Sequence, residues 1–446
     1  MSIGTLSCVS SPAFWHDKPF LRFVNPLLGH FWPAAPLPVN DGFLFAGAKA
    51  FGELKNFPLL AMARRSLNVG MIGYNFMGKA HSNAWRQAPK FFDLPADVVL
   101  HTICGRSPKN VEAAREQLGW QNASTDWRAV VSDANIDIVD ICTPNDSHCE
   151  IALEAARNGK AILCEKPLAI NVAECEQMVA AVKKAKVVNM VCHNYRRIPA
   201  IAHAKRMIER GDLGDRIYHV RARYAQDWIA DPNFPLVWRL QEKFSGSGTN
   251  GDINSHIIDM ARYVVGDISE VCGLLETFVK KRPILEEVGK GLGAKAGKKL
   301  GNVTVDDAVS WIGRFKNNAI ANFEATRFAH GRKNHITIEI NGSKGSLFFN
   351  FEEMNRLQFY NLDDPEDARG FRDILVTEPK HPYGSAWWPP GHIIGYEHTF
   401  TNTFADFVKA VVDGKSVQPQ FEEGLKNEKV LAAIEESSRT RSWVKV

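Results

Sequence analysis

Glu165-Lys166-Pro167 follows a four-residue apolar run, Ala161-Ile162-Leu163-Cys164, which sets a cationic side chain just past a buried strand. Ligands of open parallel sheets bind outside the carboxyl ends of the strands, where a lysine can reach both a nicotinamide and a substrate hydroxyl. A second cluster, Asp252 and His256, lies in a helical pattern whose packing stripe is Ile253, Ile257, Ala261 and Val264. Four-residue spacing places the pair on one face, with Asp259 and Tyr263 nearby. Two readings compete. In the plain one, Asp252 favours the helix dipole and His256 is its surface neighbour. In the reactive one, a histidine with a suitable intrinsic pKa removes the hydroxyl proton as hydride leaves a secondary alcohol.

The elements that must position these groups begin at residue 67. Leu67 to Ile72 reads as a buried strand, Gly73-Tyr74-Asn75-Phe76-Met77-Gly78 as a glycine turn, and the stretch through Ala80, Ala84 and Trp85 as an amphipathic helix. Strand, glycine turn and helix form the dinucleotide-binding layout, with Asn75 in the place of the middle glycine. Asn tolerates left-handed backbone, so the turn can survive there. Strands at Val98 to Cys104, Ile136 to Cys142, Ala161 to Cys164 and Val187 to Cys192 alternate with helices at Pro108 to Leu118, Cys149 to Asn158 and Val172 to Ala185. Six strands fit before residue 194. The alternation argues an α/β fold with a doubly wound parallel sheet.

Four separated motifs give this region its resemblance to the glucose-fructose oxidoreductase, inositol dehydrogenase and rhizopine-catabolism (Gfo/Idh/MocA) family: Gly73 to Gly78, Thr143-Pro144-Asn145-Asp146-Ser147-His148, Glu165-Lys166-Pro167 and Asn194-Tyr195-Arg196-Arg197. The resemblance spans about residues 66 to 445 and departs from the pattern at Asn75. It implies a Rossmann domain at 66–193 and a substrate-binding and oligomerisation domain at 194–446, after an N-terminal extension at 1–65. It also reverses the weighting for the Asp-His pair. With the chemistry of alcohol oxidation it assigns His256 as acid/base, Asp252 as its orienting or substrate-binding partner, and Lys166 as the cation that stabilises alkoxide charge. The cofactor contacts it implies are Gly73, Asn75, Phe76, Met77, Gly78, Gly105, Arg106, Ser107, Thr143, Pro144, Asn145, His148, Glu165, Lys166 and Asn194.

The end of the second strand, Cys104-Gly105-Arg106-Ser107, carries no carboxylate to bind ribose hydroxyls. Arg106 can stack on adenine or pair with a 2′-phosphate, so NAD and NADP both remain open, with a lean to NADP. Tryptophans and polar side chains in the second domain suit a sugar, whose C-H faces stack while its hydroxyls bond. Gln226, Trp228 and Arg239 resemble the sugar-contacting positions of levoglucosan-type and other pyranose dehydrogenases in the family, and Tyr195, Lys166, Asp252 and His256 complete the expected substrate site. Trp238 and Trp387-Trp388, with His392 close by, are further candidates, each equally explicable as core or interface. The leading function is NAD(P)-dependent oxidation of a secondary hydroxyl of a sugar, anhydrosugar or cyclitol. A glycoside-cleaving enzyme working by transient oxidation and elimination is the alternative, and a non-catalytic nucleotide sensor is disfavoured by Lys166, Asp252 and His256 together.

The 446 residues exceed one core and fit two domains. With 54 basic against 50 acidic residues, the net charge of +4 argues against nucleic-acid or membrane-surface partners. Eight scattered cysteines show neither zinc spacing nor a disulfide framework, which points to a reducing, cytoplasmic setting and no metal. Residues 1–61, rich in Phe, Pro, Trp and Leu, lack a signal-peptide or membrane-spanning pattern and read as an arm or an upstream reading of the gene. Beyond residue 194 long strands dominate: Ile217 to Tyr224, Val271 to Val279, Ala308 to Phe315, Ala319 to Arg327, Ile336 to Asn341 and Ser346 to Phe351. They predict a mostly antiparallel open sheet with helices on one face and a homodimer or homotetramer partner on the other. The basic, Gly-rich stretch from Lys280 to Lys299 reads as a mobile insertion, and a last helix near Phe400 to Val412 should pack back on the first domain.

Overall fold

The computed structural model describes residues 64–288 and 294–446; the expectations for the N-terminal arm, for Cys8 and for the middle of the basic insertion lie outside the described residues. Strands β1 (Ser66–Ile72), β2 (Asp97–Cys104), β3 (Asn122–Ser124), β4 (Ile138–Ile141), β5 (Ala161–Cys164) and β6 (Asn189–Val191) form one parallel sheet in the order β3-β2-β1-β4-β5-β6. Helices α1 (Phe76–Phe91), α2 (Pro108–Leu118), α3 (Trp127–Ser132), α4 (His148–Arg157) and α5 (Val172–Ala185) cross between them. Helices cover both faces, so β4 and β5 are buried at every position and read as unbroken apolar runs. The sixth strand is β3, an edge strand of Asn-Ala-Ser that has no apolar run to betray it.

The second sheet has nine strands in the order β16-β15-β14-β13-β7-β12-β11-β8-β17. In chain order these are β7 (Ile217–Ala225), β8 (Ile268–Glu276), then, outside the sheet, the hairpin β9 (Lys281–Val288) and β10 (Ala294–Asn302), followed by β11 (Ala308–Phe315), β12 (Ile320–Thr326), β13 (His335–Gly342), β14 (Gly345–Asn350), β15 (Arg356–Asn361), β16 (Arg372–Leu375) and β17 (Val444–Lys445). Every neighbouring pair is antiparallel except β7 with β12. On β11, Val309, Trp311 and Phe315 point inward while Ser310, Ile312 and Arg314 are exposed, the alternation of a sheet with one covered face. The cover comes from α6 (Pro199–Arg210), from α8 (Ser255–Val265), which follows the short α7 (Glu242–Ser245), and from α10 (Phe421–Thr440); Ile201, Ile257 and Ile434 share one core with the sheet.

The basic insertion is thus a paired hairpin over its described residues rather than a loose segment. Arg282 on β9 is fully buried and donates to the carbonyls of Ile229, Asp231 and Phe234, tying the hairpin to the chain after β7. The helix expected near Phe400 is α9 (Tyr396–Asp413), and its Phe400, Phe404, Phe407 and Val408 pack among Leu67, Trp85 and Ile103 of the first sheet and its helices. It is not the last helix, because α10 follows it. The seven described cysteines are all free. Among the described residues no helix is long and apolar enough to cross a membrane.

Candidate active site

The glycine turn after β1 is built for a close approach. Gly73 has φ +106°, and a Cβ there would meet the Cys142 carbonyl oxygen at 2.5 Å; one at Gly78 would meet the Gly73 oxygen at 2.3 Å. Asn75 sits at φ −75°, so the left-handed conformation it was expected to tolerate is not demanded of it. Its exposed side chain makes no cap hydrogen bond, which leaves the first N–H groups of α1 to an anion such as a pyrophosphate. Phe76 is also exposed there, Met77 is half-buried, and Ser107 caps α2 instead of standing free. Gly105 has a packing cause, since a Cβ would lie 1.9 Å from the Tyr74 ring; Arg106 beside it is exposed. These residues fit a dinucleotide.

Several of the expected cofactor contacts have structural partners within the protein. His148 has no exposure, and its Nδ1 and Nε2 lie 3.0 and 2.9 Å from the carbonyls of Pro167 and Thr143, so it ties the two loops together. Asn194 is buried and donates to Thr399 Oγ1 at 2.8 Å, anchoring α9. Asn145 donates to the Ser245 carbonyl at 3.0 Å and joins the Thr-Pro-Asn turn to the loop before α8; Thr143 accepts from Ser147 beside Pro144. Glu165 points inward to His81 at 2.8 Å. His81, Asp140, Cys142, Glu165 and Cys192 come close together and hydrogen-bond among themselves.

Lys166 and Asp252 do meet. Lys166 Nζ donates to Asp252 Oδ1 at 2.9 Å and to its carbonyl at 2.8 Å. The other carboxylate oxygen accepts from Arg327 Nη2 at 2.9 Å. Burial opposes ionisation of Asp252, but Lys166, Arg327 and Arg239 outweigh it and hold the carboxyl well below its usual range. Asp252 therefore does not orient His256, with which it shares no hydrogen bond. Asn250–Asn254 is a single π-helical turn, a feature that re-aims side chains at functional sites. It is fixed by Asp306, whose carboxylate accepts from the N–H groups of Gly248 and Asn250, each at 2.8 Å.

His256 is 8 % exposed, with Nδ1 buried and unpartnered. Its ring lies 4.5 Å from that of Tyr195 and 6.0 Å from that of Tyr224. Burial, then the charge of Lys166, holds its pKa well below the ordinary histidine value, so at neutral pH the ring is uncharged and able to accept a proton. Asp259, a neighbour on the same helix, is engaged by Arg196 at 2.6 and 2.8 Å.

The expected sugar residues line up beside this centre. Trp228 Nε1 donates to Gln226 Oε1 at 3.0 Å, Gln226 Nε2 donates to Asn334 at 2.9 Å, and Asn334 also accepts from Tyr224 at 2.6 Å. The Arg327 guanidinium lies 5.6 Å from the Trp228 ring centre. Arg239 stacks on Trp238 at 4.3 Å, close enough to Asp252 for that charge to oppose the effect of burial on its guanidinium. Trp387 and Trp388 pack instead on Phe91, with Trp387 bonded to Asn402, and His392 is exposed and held by the Pro389 carbonyl. The sequence pattern overlooked Arg327 and Asp306. Arg327 had a signal: the strand alternation that buries Ala321, Phe323 and Ala325 carries it inward too.

A parallel Rossmann sheet, a glycine turn after β1 and a lysine past the end of β5 that meets Asp252 define a nicotinamide-dependent oxidoreductase. The chain belongs to the Gfo/Idh/MocA family: residues 67–193 match the model described as "Oxidoreductase family, NAD-binding Rossmann fold" and residues 201–348 the GFO/IDH/MocA C-terminal domain. It is 47% identical over 386 residues to a levoglucosan dehydrogenase of Pseudarthrobacter phenanthrenivorans, covering 86% of this chain and 98% of that one. A solved levoglucosan dehydrogenase in complex with NADH and levoglucosan matches at 46% identity and TM-score 0.81, over 86% of this chain and 100% of that one. An oxidoreductase domain protein from Kribbella flavida matches at 51% identity and TM-score 0.81, over 86% and 99%.

Proposed function

We propose that this chain oxidises a secondary hydroxyl of an anhydrosugar of the levoglucosan type, with NAD as cofactor. The observation that carries the reading is a buried His256 with an unpartnered Nδ1 in the same site as a Lys166 side chain held by Asp252. NAD, when bound, accepts the hydride. His256 takes the hydroxyl proton, and Lys166 stabilises the alkoxide charge that develops on the same oxygen. Asp252, with Arg327 behind it, positions Lys166. Gln226, Trp228, Arg239 and Tyr195 form the sugar wall, and the division between the two domains lies at residues 193/194.

NAD is preferred over the sequence-based lean to NADP because residues 67–193 match an NAD-binding Rossmann family and the levoglucosan dehydrogenase complexes contain NADH. The assembly is a homodimer or homotetramer formed on the open face of the second sheet. Leu274, Ile312 and Ile320 stand exposed there among the ion pairs Arg223–Glu324, Arg221–Glu339 and Arg314–Glu270. Purified protein is offered levoglucosan, monosaccharides, inositols and glycosides with NAD, and NADH absorbance is followed. Net NADH formation on levoglucosan supports the reading. Product formation without net NADH would replace it with transient oxidation and elimination, and no reaction on any sugar would end it.

A further inference from the structure

The Glu-Lys-Pro turn rests on a buried polar bridge that the reaction as described does not use. His81, on α1, has no solvent exposure. Its Nδ1 lies 2.9 and 3.1 Å from the two carboxylate oxygens of Asp140 on β4, and its Nε2 lies 2.8 Å from Oε1 of Glu165. Both ring nitrogens face carboxylate oxygens, an arrangement that suits an imidazolium donating at each. Burial opposes that charge, but Asp140 first among its neighbours outweighs it and holds the pKa well above the ordinary value. Trp85 Nε1 donates to Asp140 Oδ2 at 2.7 Å. The thiols of Cys142 and Cys192 flank the ring at 3.1 and 3.7 Å, while α9 contributes the rings of Phe400 and Phe404 and, close enough to feel the charges of His81 and Glu165, the phenol of Tyr396.

The second oxygen of Glu165 reaches the backbone of the reacting lysine. Glu165 Oε2 accepts from the backbone N–H of Lys166 at 3.2 Å, and the side chain of that same lysine extends to Asp252. A continuous set of hydrogen bonds therefore runs from α1 and β4 through the imidazole to the peptide that carries the lysine. We propose that His81 is a positioning residue for the reaction: the Asp140–His81–Glu165 bridge fixes the Lys166 peptide, and through it the ammonium that faces the substrate oxygen. This rests on the reading of Lys166 as the alkoxide-stabilising group.

A purely structural role would affect folding and leave turnover per folded molecule alone. A positioning role predicts a loss in kcat without a matching loss in binding, because displacing a reacting group by about an ångström costs roughly a hundredfold. The test uses the full chain with bound NADH, as wild type, His81→Leu, His81→Gln and Asp140→Asn. Circular dichroism establishes folding, and Asp140→Asn keeps the inference testable if the leucine variant does not fold. The Lys166 amide, followed by hydrogen exchange on the peptide spanning residues 161–168, is expected to exchange about tenfold faster or more in the leucine variant. On levoglucosan, kcat should fall about a hundredfold, with KM and the NADH Kd nearly unchanged. His81→Gln, which restores one donor, should recover part of both losses. A folded His81→Leu or Asp140→Asn protein with wild-type exchange at 161–168 overturns the inference, as does faster exchange with unchanged kcat. If the wild type oxidises no sugar, the functional reading fails by itself, and the exchange data still decide whether the bridge holds the lysine peptide.

Discussion

Replacing Asp252 by Asn removes a negative charge from between two cations while leaving the side chain's shape almost intact. In the native protein Oδ1 accepts from Lys166 and Oδ2 from Arg327, both at 2.9 Å. An amide can accept on one side only and turns its own N–H groups toward the other cation. Each hydrogen bond to a charged group contributes roughly 1.5–3 kcal/mol, so the pair amounts to about 3–6 kcal/mol before any compensation. The Lys166 side chain, 13 % exposed, regains part of its share from water, whereas Arg327 at 0 % regains none. Removing one partner of a buried pair costs about 3–5 kcal/mol, and the wet side of Lys166 places Asp252→Asn at the lower end, about 3 kcal/mol. Urea unfolding near neutral pH should show a lower midpoint at unchanged slope. Lys166→Met should cost less, because Asp252 keeps Arg327, and the double variant should cost less than the sum. The sign with pH follows from a folded-state pKa depressed below the unfolded value. The stabilisation is complete above about pH 4, the ordinary carboxylate range, and is lost as pH falls toward the folded value. Asp252→Asn should therefore flatten the acid side of the stability curve. An Asn variant with a native midpoint and an unaltered acid limb would refute the ion bridge.

His256→Ala should lower kcat by about a hundredfold to ten-thousandfold while NADH affinity, measured by fluorescence titration, stays near native; because burial depresses the His256 pKa, the acid limb of wild-type kcat/KM should lie below about pH 6.5. Near-native turnover, or an acid limb at or above that pH, would move the base to another residue. Arg106→Ala should leave the calorimetric Kd for NAD within about twofold, since a lone exposed side chain usually contributes little; a large loss confined to NADP would restore the phosphate-binding role. Ile312→Asp, on the open sheet face, should dissociate the oligomer in analytical ultracentrifugation, and an unchanged sedimentation coefficient would place the interface elsewhere.

What was legible in the sequence follows from which physical signals are local. Continuous apolar runs announced β4 and β5, because strands covered on both faces cannot hide their burial. The polar edge strand β3 had no such signal. Lys166 and His256 could be singled out by motif and spacing, yet the partner of Asp252 was misjudged. A four-residue interval assumes a regular α-helix, and the π turn at Asn250–Asn254 breaks that assumption through Asp306, which lies more than fifty residues away. His148 shows the converse limit, since a histidine in a cofactor-loop motif looks the same whether its ring faces a ligand or two backbone carbonyls.

Helix α9 has a consequence for how the chain comes off the ribosome. Its Phe400, Phe404 and Phe407 complete a core whose other walls are made by residues 67 to 192, and every strand of the second sheet except β17 is synthesised in between. The first sheet and its helices thus emerge early but with an apolar face that only the late helix can cover. Closing so long a loop adds little entropic cost over a shorter one, so the delay is set by translation time rather than by the search for the contact. Nascent chains halted just before α9 should accordingly display the dinucleotide-binding half as a sticky, chaperone-dependent intermediate, and release of α9 should be the event that makes it competent to hold its cofactor.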